Sequence, residues 1–263
     1  PIPLGKKIIH SVESIANINK DFSAEVGLPG DAKLTLEAII KEARNQLEIN
    51  SIKIDTSVSN EIALLKEKWL SEWQPILKSD EIPINTYRVI DALNSAVDKD
   101  NSIITHDAGA PRDTIMPFYT STVPHSYVGW GKSTHLGYGI PLMIGAKIAN
   151  PDKPVVCFTG EGGFQYCMSE LGTLLQNDIA ITVVMFNDNA WGVLKNIQRD
   201  KYDNRFMGTT LANPNFVQIF NSFGFSGIRV NSLIELKNSL AEGINSNKTN
   251  LIEVSIPNGL ENF

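Results

Sequence analysis

Two short runs of apolar, largely β-branched residues stand near the middle of the chain without polar alternation: Val155-Val156-Cys157-Phe158 and Ile181-Thr182-Val183-Val184-Met185-Phe186. Strands buried on both faces of a parallel sheet have this character. Between them Phe164, Met168, Leu171, Leu174 and Leu175 recur at helical spacing, so the unit reads as strand, helix, strand. A right-handed crossover then brings both strand ends to one rim of the sheet. The same rhythm extends outwards, with a helix around Tyr87–Val97, a strand at Ile103-Ile104, a helix over Ile140–Ala149, a strand around Gly227–Val230, a helix over Leu233–Ile244 and a last strand over Asn250–Ile256. It predicts an α/β domain over residues 83–263, a doubly wound, mostly parallel sheet with helices on both faces.

The residues before 83 have another pattern. Lys7–Val12 reads as a strand, and Gly27–Ala32 as a turn that enters an amphipathic helix carrying Leu34, Leu36, Ile39 and Ile40. The charged stretch Lys41–Lys78, with Trp69 and Trp73 one helical turn apart, reads as a helical connector. The expected division is 1–45 for the end of a preceding domain, 46–82 for the connector and 83–263 for the α/β domain.

The candidate chemistry lies where the two central strands end. Gly160-Glu161-Gly162-Gly163 follows the first and Asn187-Asp188-Asn189 the second, so Glu161 and Asp188 can meet on the rim. Glycines at 160, 162 and 163 let backbone N–H groups come close to phosphate oxygens at a helix start. Magnesium takes oxygen ligands at about 2.0–2.1 Å, commonly one or two carboxylates with phosphate oxygens and water. Glu161, Asp188 and a backbone carbonyl near Ala190 are the expected metal ligands, and the pattern reads as a magnesium-diphosphate site.

These segments resemble the thiamine-diphosphate enzymes of the acetolactate synthase and pyruvate decarboxylase type, whose cofactor motif is Gly-Asp-Gly followed about two dozen residues later by Asn-Asn. Here Glu161 stands for the aspartate and Asp188 for the second asparagine; both changes keep oxygen ligands and give two formal charges instead of one. Ser133-Thr134-His135-Leu136-Gly137-Tyr138-Gly139-Ile140-Pro141 resembles the stretch that lies against the aminopyrimidine. The resemblance makes Leu136 the apolar residue that holds the cofactor bent and the carbonyl of Thr134 an acceptor for its 4'-amino group. His135 has either a site role or a structural one. Asp107-Ala108-Gly109-Ala110-Pro111-Arg112 matches the loop that contacts the diphosphate, with the amides of Gly109 and Ala110 as donors and Arg112 either a further contact or a surface charge. Ala190-Trp191-Gly192-Val193-Leu194 matches the entry to the helix facing the reacting carbon, making Val193 and Leu194 pocket residues and Trp191 an aromatic anchor or a neighbour of the cofactor.

Two departures bear on the reaction. Simple pyruvate decarboxylases carry a glutamate at the position of Leu194, and acetolactate synthases a tryptophan at that of Ile197. The resemblance therefore implies a thiamine-diphosphate- and Mg2+-dependent enzyme that decarboxylates a small 2-oxo acid and transfers the resulting acyl carbanion to an acceptor, without naming the product. A simple 2-oxo acid decarboxylase, or a non-catalytic cofactor-binding or interaction module, remains the alternative; the lack of cysteine clusters speaks against a ferredoxin-linked oxidoreductase.

Composition narrows the setting. The 263 residues, 42% of them apolar, suffice for a substantial core. A net charge of −6 without a long basic run makes nucleic acid an unexpected partner. The two cysteines, Cys157 and Cys167, lack metal or disulfide spacing and read as packing residues in a reducing, cytoplasmic setting. No apolar run reaches the roughly 20 residues that cross a bilayer. The resemblance covers only the C-terminal half of a usual family member. It implies a partner, the pyrimidine-domain half supplying the N1' glutamate, in the same polypeptide or a separate subunit, within a homodimer or tetramer. The chain begins at Pro1 inside a domain, and a piece cut from a longer polypeptide is the expectation, a native separate subunit the alternative.

Overall fold

The computed structural model describes residues 2, 3, 5–50, 55–129, 131 and 135–258. They fall into two compact units, 1–68 and 69–263. In the first, β1 (Ile9–Val12) pairs in parallel with β2 (Val26–Pro29), from Ile9 against Val26 to Val12 against Pro29. The expected turn at Gly27–Ala32 is thus partly strand. Asp31 then accepts the Leu34 amide at 3.0 Å and starts α1 (Ala32–Ile49), which continues past residue 45. A second helix, α2 (Ser57–Leu77), runs through the division.

In the second unit Trp69 and Trp73 on the last turns of α2 pack with Tyr87 and Phe118, with ring centroids 5.0 to 6.0 Å apart. The remaining elements are α3 (Thr86–Ala96), β3 (Ile103–His106), α4 (Ala110–Ile115), β4 (Tyr127–Val128), α5 (Gly139–Ala149), β5 (Val155–Gly160), α6 (Glu161–Cys167), α7 (Glu170–Gln176), β6 (Thr182–Asn187), α8 (Gly192–Lys201), α9 (Phe216–Ser222), β7 (Ser226–Val230), α10 (Leu233–Ile244) and β8 (Asn250–Ser255). The single helix expected between β5 and β6 is two, α6 and α7. All six strands are parallel, in the order β4-β3-β5-β6-β8-β7.

Side-chain alternation along the strands divides the core in two. Val156 and Phe158 join Ile104, Val184, Phe186, Ile252 and Val254 beneath α3 and α10. Val155 and Cys157 face the other way, with Val183, Met185 and Leu251 beneath Phe164, Leu171, Phe216 and Phe220. Period-2 alternation within a strand that is apolar on both sides serves two layers at once. The free cysteines are buried there, as packing residues. Burial pushes the Cys157 thiol well above its usual range and Cys167 to about 12, which keeps both thiols unreactive.

Strand order decides where a ligand fits. From β3 the chain moves outward to β4, whereas from β5 it moves the opposite way to β6. The segments leaving β3 and β5 part to opposite faces, Ile115 of α4 packing into one layer and Phe164 of α6 into the other. A crevice opens beyond the carboxyl ends of these strands, the topological switch point of an open parallel sheet.

Candidate functional site: a carboxylate pair at the switch point

A cavity of about 360 Å³ occupies this crevice. One wall is the loop after β3, with Ala108, Gly109, Ala110 and Arg112; the floor is Gly160–Gly163; the other wall is Asp188 and Ala190–Leu194. Leu136 borders it as well. Of the residues expected from sequence, Gly109, Ala110, Leu136, Gly160, Glu161, Gly162, Gly163, Asp188, Ala190, Val193 and Leu194 all line this one space. Thr134 lies outside the described residues. His135 is exposed and does not line the cavity. Arg112 does line it, its guanidinium paired with Asp113.

Register explains why the two acids meet. Gly160 pairs with Phe186, so β5 and β6 end nearly level, and Glu161 and Asp188 leave them side by side. Both are buried, at 3% and 8% exposure. The amide of Ala190 donates to Oε1 of Glu161 at 3.1 Å and to Oδ1 of Asp188 at 3.2 Å. Two carboxylates out of water repel each other, and burial first, then the charge of Asp188, pushes Glu161 up to about 7. The pair is a ready place for a positive charge. Among the described residues no group of three or more His, Cys, Asp or Glu side chains is placed to hold a metal ion, so a cation held here would draw its other ligands from elsewhere. Backbone, water or an anionic ligand in the cavity can supply them, which fits a hard, oxygen-seeking divalent ion carrying a phosphate group.

The glycines have reasons beyond close approach to a ligand. A Cβ on Gly162 would stand 2.4 Å from the indole of Trp191, and one on Gly163 would stand 3.1 Å from Cγ of Asp107. Of these three, Gly160 alone has room for a Cβ, which would meet Pro111 at an ordinary contact distance of 3.9 Å. Trp191 thus packs against the floor of the cavity and lines it as well. Gly109, at φ +81°, makes the turn from β3 into α4.

Asp107 was not among the expected site residues. It is fully buried and accepts the amides of Ala108 at 2.6 Å, Gly137 at 3.1 Å and Gly139 at 3.2 Å. The stretch after Leu136 is thereby clamped to the end of β3. Its signal in the sequence was an acid directly after a buried strand, masked by its place in a loop motif read for its backbone donors.

Comparisons with known proteins agree with this geometry. The chain is 29% identical over 260 residues to the "Probable acetolactate synthase large subunit" of Methanococcus aeolicus, covering 95% of this chain and 43% of that protein. It is 31% identical over 263 residues to the protein of the same description from Methanocaldococcus jannaschii, covering 95% and 42%. The chain therefore spans about two fifths of the length of these relatives. Benzoylformate decarboxylase from Polynucleobacter necessarius superposes with a TM-score of 0.73 at 19% identity, covering 100% of this chain and 46% of that one, which supports the fold. Residues 107–254 match the family described as thiamine pyrophosphate enzyme, C-terminal TPP binding domain, and run from Asp107 through the cavity to β8. That match covers more than half of the chain, which belongs to this family and carries its thiamine diphosphate-binding domain.

Proposed function

We propose that this chain is the diphosphate-binding part of an enzyme that decarboxylates a 2-oxo acid and passes the acyl unit to a second acceptor, in the manner of the acetolactate synthases it is similar to. The observation that carries the reading is one cavity with a buried carboxylate pair where its floor meets one wall and apolar side chains, Leu136, Val193 and Leu194, along its border. Thiamine diphosphate, when bound, would supply the nucleophilic carbon and the electron sink that decarboxylation of a 2-oxo acid needs.

The chain's own residues do the holding. Glu161 and Asp188 take a divalent cation, magnesium in our reading, which neutralises the diphosphate, with the backbone at Ala190 completing the protein's share. The amides of Gly109 and Ala110 are further donors at the opposite wall. Leu136, which borders the cavity, would support the aminopyrimidine. Val193 and Leu194 face the reacting end and keep water from it, which favours transfer to an acceptor over protonation. No acid lines the cavity at 194 to deliver that proton, and this favours ligation over simple aldehyde release. The N1' glutamate that activates the cofactor comes from a pyrimidine-domain half, in the same polypeptide or another subunit.

Incubation of the chain, together with the pyrimidine-domain half that supplies the N1' glutamate, with pyruvate, thiamine diphosphate and Mg2+ tests the reading through its products. A condensed hydroxy-oxo acid alongside carbon dioxide is expected; acetaldehyde alone would assign it to the simple decarboxylases.

A further inference from the structure

Glu253 is a charged side chain where the fold has every reason to place an apolar one. It lies on β8 with 0% exposure, between Met185 of β6 and Arg229 of the edge strand β7. Oε1 receives Nδ2 of Asn187 at 2.7 Å and pairs with the half-exposed Arg229 guanidinium at 2.9 Å. Oε2 has no hydrogen-bond partner among the described residues. A buried carboxylate with one oxygen unsatisfied is costly, and a hydrophobic residue of similar volume is commonly as stable or more so. Packing does not explain this residue.

What Glu253 does is orient Asn187. A side-chain amide can face either way, and an acceptor-only partner on one side settles which. With its NH2 held by Glu253, Asn187 turns Oδ1 to the amide of Asn189 at 3.1 Å and to Nδ2 of Asn213, also at 3.1 Å. Asn213 in turn bonds Oδ1 of Asn189 at 3.1 Å and receives Nε2 of Gln165, on α6, at 3.0 Å. Asn189 is held at φ +56°, a conformation that costs a non-glycine residue energy and needs such support. Asp188 lies between the two anchored asparagines. Its carboxylate is therefore aimed by a chain of contacts that starts at Arg229 on the surface.

We propose that Glu253, held by Arg229, is a positioning residue for the cation-binding loop: by fixing Asn187 it sets where the Asp188 carboxylate stands. The inference rests on the reading of Glu161 and Asp188 as a cation site. Groups behind a metal's own ligands commonly govern affinity by about 10- to 100-fold.

Mn2+ affinity in the presence of thiamine diphosphate, read from the free-Mn2+ electron spin resonance signal, tests it. Glu253→Gln is expected to weaken Mn2+ binding about 10-fold or more, because a glutamine is no longer acceptor-only: it can turn its NH2 toward Asn187 and cease to settle which way that amide faces, and it gives up the charge that holds Arg229. Arg229→Met is expected to weaken it at least about 3-fold and Arg229→Lys to restore it, whereas a merely structural role would not distinguish the two by charge. Asp188→Ala serves as reference. If Asp188→Ala abolishes binding while folded Glu253→Gln binds Mn2+ as the wild type does, the positioning role is overturned and the cation site stands. Should Glu253→Gln fail to fold, Arg229→Met decides, and unchanged affinity there overturns the role. If Asp188→Ala itself leaves Mn2+ binding intact, the cation site falls and the inference with it.

Discussion

Glu161 and Asp188 share one backbone donor: the amide of Ala190 stands 3.1 Å from an oxygen of the first and 3.2 Å from an oxygen of the second. Two buried acids drawn to one N–H cannot both carry charge cheaply, so Glu161 is pushed up to about 7 from 4.5 by burial and by its neighbour. The stability linked to this group is present below pH 4.5 and is lost as pH rises through about 7. A divalent cation removes that loss by replacing the proton. Binding of Mg2+ with thiamine diphosphate should therefore release close to one proton at about pH 6 and almost none at about pH 8. Calorimetry in buffers of different ionisation enthalpy counts them, and equal release at both values would contradict the pairing.

Gly162 is expected to resist enlargement. Alanine favours a helix over glycine by about 0.5–1 kcal/mol, but its methyl group would stand 2.4 Å from the Trp191 ring. Overpacking of this kind costs about 1–3 kcal/mol, so the clash wins. Gly162→Ala should lower the unfolding temperature, and adding Trp191→Leu should recover most of the loss. Additive losses in the double variant would show that the indole is not what excludes the methyl group.

The Asp107 clamp makes a local prediction. Asp107→Asn should lose the acceptor for at least one of the three amides and leave it buried, at a cost of about 1–3 kcal/mol. Hydrogen exchange at the Gly137 and Gly139 amides should quicken while β5 and β6 stay protected. Unchanged protection at both glycines would mean that the loop is held by other contacts.

On the proposed reading, Leu194 bears on the fate of the acyl unit. Leu194→Glu places a proton donor at the cavity and should shift product from ligation toward aldehyde, since protonation then competes with the acceptor. Chromatographic analysis of products from wild type and variant, each assembled with the pyrimidine-domain half, checks this. An unaltered ratio would remove Leu194 from the reacting end.

The sheet was legible because its strands are apolar on both sides: Val155–Phe158 and Ile181–Phe186 admit few other readings, and a parallel pairing places the acids that follow them together. Short elements were not. Nothing in Tyr127-Val128 marks a strand, because two residues hold no period, and Val26–Pro29 becomes a strand only through its pairing with β1. The glycines at 162 and 163 were read as making room for phosphate, whereas their tightest neighbours are Trp191 and Asp107, contacts that only tertiary structure creates. Glu253 was invisible for the same reason. An acid in a strand otherwise reading Leu-Ile-Val signals nothing until Asn187 and Arg229 are found against it.

In the proposed reading, the carboxylates of Glu161 and Asp188 bind thiamine diphosphate through a shared divalent cation. Titration calorimetry of thiamine diphosphate into the protein, with Mg2+ or with a chelator, measures this directly for the wild type, Glu161→Ala and Asp188→Ala. Mg2+-dependent binding is expected in the wild type and its loss in both variants, each folded by circular dichroism. Binding of equal affinity in the two variants, or binding by the wild type that is indifferent to the chelator, would contradict it.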